Sequence, residues 1–144
     1  MSNVNENNNP AAAATTAGGS AKTILVADDE SHILHVVSLK LRNAGYRVVT
    51  ARDGQEAFEL AHQEKPDLII TDYHMPQLSG LELCQKLKQG EATCRIPAIM
   101  LTARGYHLEP ADTEKSGILR MLSKPFSPRH LLATVNEVLE QMAA

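Results

Sequence analysis

Several side chains that could do chemistry stand where apolar runs of the sequence end. Asp28 and Asp29 follow the run KTILVA, and Asp72 follows DLIIT. Thr102 closes the run PAIMLT, and Lys124 follows ILRMLS. A buried carboxylate is costly unless it is paired or hydrogen-bonded. We therefore expect these residues to form one site.

Together, these residue types are typical of phosphoryl transfer. Three carboxylates brought close together repel one another unless a cation joins them. The cation could be a divalent metal such as Mg²⁺, which prefers oxygen ligands, or the mobile ammonium group of Lys124. An aspartate such as Asp72 can be the nucleophile that forms an acyl phosphate. The metal and the lysine would neutralise charge on the transferring group, and Thr102 would donate a hydrogen bond to it.

Each residue also has a simpler explanation when it is taken alone. Asp28 and Asp29 could cap a helix, because acidic side chains stabilise a helix start. Asp72 could form a turn, Thr102 could be an ordinary strand residue, and Lys124 could be a solvated surface lysine. Their coincidence at the ends of four apolar runs is what favours a shared site.

The elements that must position these residues alternate between strand and helix along the chain. Apolar runs predict strands, periodic apolar residues predict helices, and Gly45, Asp53, Pro66 and Ser127 mark helix ends. The predicted strands are Lys22–Ala27, Tyr46–Ala51, Asp67–Thr71, Pro97–Thr102 and Ile118–Leu122. The predicted helices are Glu30–Ala44, Asp53–Gln63, Leu81–Lys88, Pro110–Ser116 and a last helix that Ser127 caps.

This alternation predicts an α/β fold, a doubly wound five-stranded parallel sheet with helices on both faces. Such sheets bind ligands at the carboxyl ends of their strands. Aromatic residues make up only 3% of the chain, so the core should be aliphatic. The expected buried stripe of the last helix is Leu131, Leu132, Val135, Val138, Leu139 and Met142. The third helix is expected from Leu81, Cys84, Leu87 and Lys88, which are spaced three or four residues apart.

The length of 144 residues suits one domain. Residues 1–21 are rich in Asn, Ala, Thr and Gly and predict a disordered tail, which leaves residues 22–144 as the domain. The net charge of −3, without a basic stripe, argues against direct binding to nucleic acid or to a membrane surface. No apolar run approaches the ~20 residues of a membrane span. The two cysteines suit reduced thiols in a cytoplasmic protein.

Four motifs, taken in order, carry a family resemblance. DDE after KTILVA, TDYHMP after the third strand, LTA at the fourth and SKPF at the fifth together resemble the receiver domain of two-component response regulators. The resemblance extends from Lys22 to about Ala143 and implies a flavodoxin-like (βα)5 fold. It implies that Asp72 is the phosphoacceptor and that Thr102 and Lys124 assist the transfer.

The resemblance also implies a metal site and a backbone geometry. Asp28, Asp29 and Asp72 match the acidic residues that bind Mg²⁺, for which Mn²⁺ could substitute, and Asp29 is the expected direct ligand. His74 stands where a backbone carbonyl usually completes the metal site. The Lys124–Pro125 peptide bond is expected to be cis.

The function that the resemblance implies is a signalling switch, not an enzyme. A sensor histidine kinase or phosphotransfer protein would phosphorylate Asp72, and slow autodephosphorylation would end the signal. We expect a stand-alone, chemotaxis-regulator-like receiver without a DNA-binding domain. Its output to an unknown target would pass through the fourth helix, fifth strand and last helix, a face that also forms homodimers in such proteins. The alternatives are a phosphatase of the haloacid-dehalogenase type and a receiver-like interaction module that is never phosphorylated.

Three positions bear on how the switch works. Receivers usually carry Tyr or Phe where this chain has Met121, so we expect activation to be transmitted mainly by shifts of the loop from Thr102 to Pro110. His74 and Arg104 lie two residues after Asp72 and Thr102, respectively. In the family these positions flank the path of the hydrolytic water, so we expect them to tune the lifetime of the acyl phosphate.

Overall fold

The computed structural model describes residues 21–103 and 109–143, in which strands and helices alternate strictly. The strands are β1 (Thr23–Ala27), β2 (Arg47–Ala51), β3 (Leu68–Asp72), β4 (Ala98–Thr102) and β5 (Ile118–Ser123). The helices are α1 (Ser31–Asn43), α2 (Gly54–Glu64), α3 (Gly80–Gln89), α4 (Pro110–Glu114) and α5 (Pro128–Ala143). The strands form one parallel five-stranded sheet in the order β2-β1-β3-β4-β5. The predicted fold class is confirmed.

Local signals in the sequence set most helix ends. The Asp53 side chain accepts a hydrogen bond from the Glu56 amide at 2.8 Å and caps α2, and Ser127 accepts one from the His130 amide at 3.2 Å at the start of α5. Gly45 follows α1 with a φ of 98°, a conformation that glycine adopts without strain. The capping box at the start of α3, formed by Ser79 and Glu82, was not recognised in the sequence.

The helices cover the sheet with two aliphatic layers. On one face, α1 and α5 pack their apolar stripes against alternate residues of the strands, such as Ile24, Val26 and Ile70. On the other face, α2 and α3 pack against the residues in between, such as Leu25 and Ile69. The buried hydrophobic residues include no aromatic side chain among those described, as the composition predicted. No helix in the described ranges combines the length and the apolar character needed to cross a membrane.

Some predicted boundaries and burial patterns were wrong. The third strand includes Asp72, so the carboxylate belongs to the sheet and not to the following loop. In α3, Leu83 is buried beside Cys84 and Leu87, although the spacing in the sequence had not singled it out, and Lys88 is exposed. Met142 is 47% exposed, because it lies in the last turn of α5, beyond the sheet that buries Leu131. Residues 1–20 of the predicted tail and Arg104 lie outside the described residues.

The register of the sheet brings the candidate residues to one edge. Ala27, which precedes Asp28, pairs with Ala51 and Thr71. Asp72 pairs with Leu101, and Thr102 pairs with Ser123. Because all strands run in the same direction, their carboxyl ends and the residues that follow meet at this edge.

The turn from β3 to α3 packs closely against the backbone of Asp72. The Gly80 amide donates to the Tyr73 carbonyl at 2.9 Å, and the Tyr73 amide donates to the Leu101 carbonyl at 2.8 Å. A Cβ atom on Gly80 would lie 2.2 Å from the backbone carbonyl oxygen of Asp72. Only glycine therefore lets the start of α3 pack directly against the residue that ends β3.

We expect burial, and not the sequence pattern alone, to decide the stability of α5 variants. Leu131 is fully buried, so Leu131→Ala should lower the free energy of unfolding by about 2–5 kcal/mol. Met142→Ala should change it by less than about 0.5 kcal/mol, because that side chain is half-exposed. Urea unfolding of both variants measures the difference, and equal losses would contradict this placement of the helix.

Candidate functional site

Lys124 is the centre of a group of acidic side chains at the carboxyl edge of the sheet. Its Nζ atom lies 3.0 Å from Asp28 Oδ2, 2.9 Å from Glu30 Oε1 and 3.2 Å from Asp72 Oδ1. The Lys124 amide donates to the Thr102 carbonyl at 2.8 Å, which joins the end of β5 to the end of β4. The structure therefore brings together residues from β1, β3, β4 and β5 that are far apart in the sequence.

The backbone at Lys124 agrees with the family resemblance, and two hydrogen bonds hold Asp28 in place. The Lys124–Pro125 peptide bond is cis, as the resemblance implied. The Asp28 amide donates to the Ala51 carbonyl at 3.1 Å, and Asp28 Oδ1 accepts a hydrogen bond from the Glu30 amide at 2.9 Å. The simpler alternative, that Asp28 and Asp29 cap a helix, is not found, since Glu30 is the N-cap residue of α1 and no side chain caps it.

Burial makes the two inner carboxylates unusual. Asp28 has no exposed surface and Asp72 is 5% exposed. Desolvation raises the pKa of Asp28 above its ordinary value, and the hydrogen bonds from Glu30 and Lys124 only partly offset it. Desolvation also raises the pKa of Asp72, and the nearby charge of Asp28 raises it further against the effect of Lys124. Both carboxylates are therefore costly to keep ionised without more positive charge.

In contrast, the surroundings of Lys124 and Glu30 favour the charged forms of these two side chains. Burial alone would lower the pKa of Lys124, but its hydrogen bonds to Glu30 and Asp28 and the charges of Asp28 and Asp72 outweigh burial and raise it. The ammonium group is therefore charged at neutral pH. The hydrogen bond from Lys124 lowers the pKa of Glu30, whose side chain is 49% exposed. Three carboxylates contact one ammonium group, so the pocket keeps an excess of negative charge.

One group of carboxylates in the described part of the chain has the spacing of a metal site. Oxygen atoms of Asp28, Asp29 and Asp72 all lie within 4.8 Å of one another. Asp28 and Asp72 are buried, whereas Asp29 is exposed and open to water. Hard carboxylate oxygens beside solvent are the donor set that Mg²⁺ prefers, because this ion retains several of its waters.

For the other predicted residues, the structure gives a position near the site but no described side-chain contact with Lys124. Thr102 is 1% exposed at the end of β4. His74 is exposed in the loop after Asp72, and its ring contacts the Tyr73 ring edge-on at a centroid distance of 4.8 Å. Met121 pairs with Met100 on the neighbouring strand and packs in a small cluster with Cys84 and Ile118.

Glu30 is the contact that sequence reasoning did not assign. It is the third acid of the motif DDE, and only its position at the N-cap of α1 shows that it reaches Lys124. The charge pattern alone could have suggested that three successive acids at a strand end face a lysine. It could not show which of them point inward.

Comparison with known proteins gives the family of this chain. The family model of the response regulator receiver domain matches residues 24–136. This chain belongs to that family. The predicted resemblance to a two-component receiver domain is thereby confirmed.

Curated relatives of the receiver domain are longer proteins. The chain is 41% identical over 120 residues to the phosphate regulon transcriptional regulatory protein PhoB of Pseudomonas aeruginosa, covering 83% of the chain and 52% of that protein. It is 40% identical over 120 residues to the alkaline phosphatase synthesis transcriptional regulatory protein PhoP of Bacillus subtilis, covering 83% and 49%. The chain thus spans about half the length of the curated relatives it matches.

Solved structures of similar length share the fold. The chemotaxis response regulator CheY4 of Vibrio cholerae is 34% identical with a TM-score of 0.76, covering 83% of the chain and 99% of that structure. A putative response regulator from Chloroflexus aurantiacus is 33% identical with a TM-score of 0.77, covering 84% and 99%. Both likenesses extend over almost the whole of those chains.

We expect opposite effects on stability from neutralising Asp72 and from removing the lysine charge. In metal-free buffer, Asp72→Asn should raise the melting temperature, because it removes a desolvated charge and leaves Lys124 paired with Asp28 and Glu30. Lys124→Met should lower it, because two buried carboxylates lose their counter-charge.

The pH dependence of the Asp72→Asn effect follows from its sign. A carboxyl whose pKa is higher in the folded state than in the unfolded state destabilises the fold while it is ionised. The advantage of Asp72→Asn should therefore be largest above the folded pKa of Asp72 and shrink as the pH falls through it. Melting curves across a pH series measure this, and an advantage that grew on acidification would contradict it.

Proposed function

We propose that this receiver domain is a phosphorylation switch in which Asp72 accepts a phosphoryl group from a phosphohistidine of a partner protein. The observation that carries the proposal is the position of Asp72, a nearly buried carboxylate 3.2 Å from Lys124 and grouped with Asp28 and Asp29. A carboxylate that is costly to keep there serves no structural purpose that the surrounding contacts reveal.

The transfer that we propose conserves charge and atoms. A carboxylate oxygen of Asp72 forms a bond to phosphorus while the bond from phosphorus to the imidazole nitrogen of the donor breaks, and the histidine leaves without the phosphoryl group. Lys124 donates to a phosphoryl oxygen, and Thr102 supplies a hydroxyl donor from the neighbouring strand. Slow attack of water on the acyl phosphate then restores Asp72 and releases inorganic phosphate.

The acidic pocket fits a divalent cation, and we propose that Asp28, Asp29 and Asp72, with the backbone carbonyl of His74, hold Mg²⁺ or, in its place, Mn²⁺. Bound Mg²⁺ would neutralise part of the charge on the phosphoryl oxygens. The excess negative charge around Lys124 and the raised pKa values of Asp28 and Asp72 support this, because both show that one ammonium group does not balance the pocket.

The surface beside the site supports a protein as the phosphodonor. An open cavity of about 630 Å³ adjoins Lys124 and has mainly apolar walls, including Ile33, Val36 and Phe126. Val36 is 41% exposed. We propose that a histidine kinase or phosphotransfer protein of the cytoplasm presents its phosphohistidine here, since an apolar rim around a polar centre is typical of protein interfaces.

The output side of the switch is also a proposal. We propose that the phosphorylated form contacts a downstream protein, or a second copy of the chain, through α4, β5 and α5, without direct contact between this domain and nucleic acid. Met121 lies on β5, and its flexible side chain could repack when the loop after Thr102 shifts. His74 is exposed beside Asp72, which supports a role with Arg104 in setting the lifetime of the acyl phosphate.

Incubation with acetyl phosphate and intact mass measurement test the proposal. With Mg²⁺ we expect one phosphoryl adduct per chain, and without Mg²⁺ or with Asp72→Asn we expect none, because the metal and the nucleophile are both required. Asp67→Asn is the matched control, since Asp67 precedes the opposite end of the same strand. That variant should be phosphorylated like the wild type.

The two alternatives give different results in the same assay. Absence of any adduct would refute the switch and favour a receiver-like module that acts without phosphorylation. Rapid turnover of small phosphate esters would favour a phosphatase of the haloacid-dehalogenase type. Such enzymes usually carry a second acid two residues after the nucleophile, where this chain has His74.

A further inference from the structure

We propose that Glu30 is a positioning residue that tethers Lys124 in the unphosphorylated protein and must release it when Asp72 is phosphorylated. The Lys124 Nζ atom lies 2.9 Å from Glu30 Oε1, closer than to Asp28 or Asp72. The Glu30 backbone amide donates to Asp28 Oδ1, whereas the hydrogen bond described for the Glu30 side chain is to Lys124, so this side chain acts through the lysine.

Because Lys124 has a limited number of N–H donors, its contact with Glu30 competes with a contact to a phosphoryl group on Asp72. An ammonium group has three N–H donors, and three carboxylates already accept from or pair with them. Lys124 donates hydrogen bonds to Asp28 and Glu30, and only the donor that faces Asp72 is left for a group on that residue. A phosphoryl oxygen on Asp72 can therefore receive a second hydrogen bond from Lys124 only if Asp28 or Glu30 withdraws.

Glu30 is the partner that can withdraw at the lowest cost. Asp28 has no exposed surface, and its other oxygen is held by the Glu30 amide. Asp72 carries the phosphoryl group itself and remains next to Lys124. The Glu30 side chain is 49% exposed, so water solvates its carboxylate as soon as the lysine turns away.

The consequence, which rests on the proposed function, is that Glu30 stabilises the unphosphorylated state and slows phosphorylation. Removing its charge would remove a contact that the wild type must break before Lys124 can donate a second hydrogen bond to the phosphoryl group. The expected gain is at most about fivefold in rate, the factor that corresponds to the upper end of an exposed ion pair's contribution. Decay of the phosphorylated form should be nearly unchanged, because Lys124 contacts the phosphoryl group both before and during hydrolysis.

The experiment compares Glu30→Gln, Glu30→Asp and a matched control with the wild type. Glu64→Gln is the control, because Glu64 also forms a short ion pair, 2.7 Å from Arg47, and this variant loses the same charge away from the site. Phosphorylation by acetyl phosphate is followed at saturating Mg²⁺ and two salt concentrations. We expect Glu30→Gln to react faster than wild type, with a smaller gain at high salt, and Glu64→Gln to match wild type.

Glu30→Asp separates contact from charge. Aspartate keeps the negative charge but is one methylene shorter, so it should reach Lys124 poorly and behave like Glu30→Gln. If Glu30→Asp behaved like wild type while Glu30→Gln was faster, the effect would come from the local field and the tether would be refuted. Equal rates for Glu30→Gln and wild type would refute it as well.

A second measurement keeps the tether testable apart from phosphorylation. The ¹⁵N–¹H signal of the Lys124 ammonium group should shift or broaden in Glu30→Gln relative to wild type and stay in place in Glu64→Gln. An unmoved signal in Glu30→Gln would overturn the tether. Failure of the wild type to form an Mg²⁺-dependent adduct would refute the proposed function, and the ammonium signal would still decide whether Glu30 holds the lysine.

Discussion

The ammonium group of Lys124 lies among three carboxylates, two of which are almost completely removed from water. In such a place an unpaired charge would cost several kcal/mol, roughly the scale at which a domain unfolds. The lysine lowers that cost but does not cancel it, because the pKa values of Asp28 and Asp72 remain raised. The charge of the pocket is therefore incompletely balanced, which agrees with our proposal that it binds a divalent cation and accepts a phosphoryl group.

The rest of the fold holds these charged side chains close together. The parallel register places Asp72 beside Leu101 and Thr102 beside Ser123, and the turn from Tyr73 to Gly80 leaves no room for β3 to shift. Aliphatic layers on both faces hold the strands in place. The stability supplied by the core thus offsets the cost of burying like charges at one edge of the sheet.

The same arrangement gives the site a way to respond. Asp28 is fixed by backbone contacts and burial, whereas the Glu30 side chain is half-exposed and hydrogen-bonds to Lys124 alone among the described contacts. One partner of the lysine is therefore rigid, and another can be released to water. In our proposal Glu30 is the group that moves, so a change at Asp72 reaches the N-cap of α1 without disturbing the core.

Periodicity, helix caps and strand-end residues in the sequence were enough to determine the fold class, the order of the elements and five of the residues at the site. These are local properties, since an apolar run or a capping residue acts within a few positions of itself. The tertiary structure alone decided which acids point inward, that Asp72 ends the strand, that Leu83 and not Lys88 is buried, and that Met142 is exposed. It also revealed Glu30 as a partner of Lys124, 94 positions away. Contacts between residues so far apart in the sequence depend on how helices and strands pack. The residue pattern of one segment does not indicate which side chains of another segment will face it.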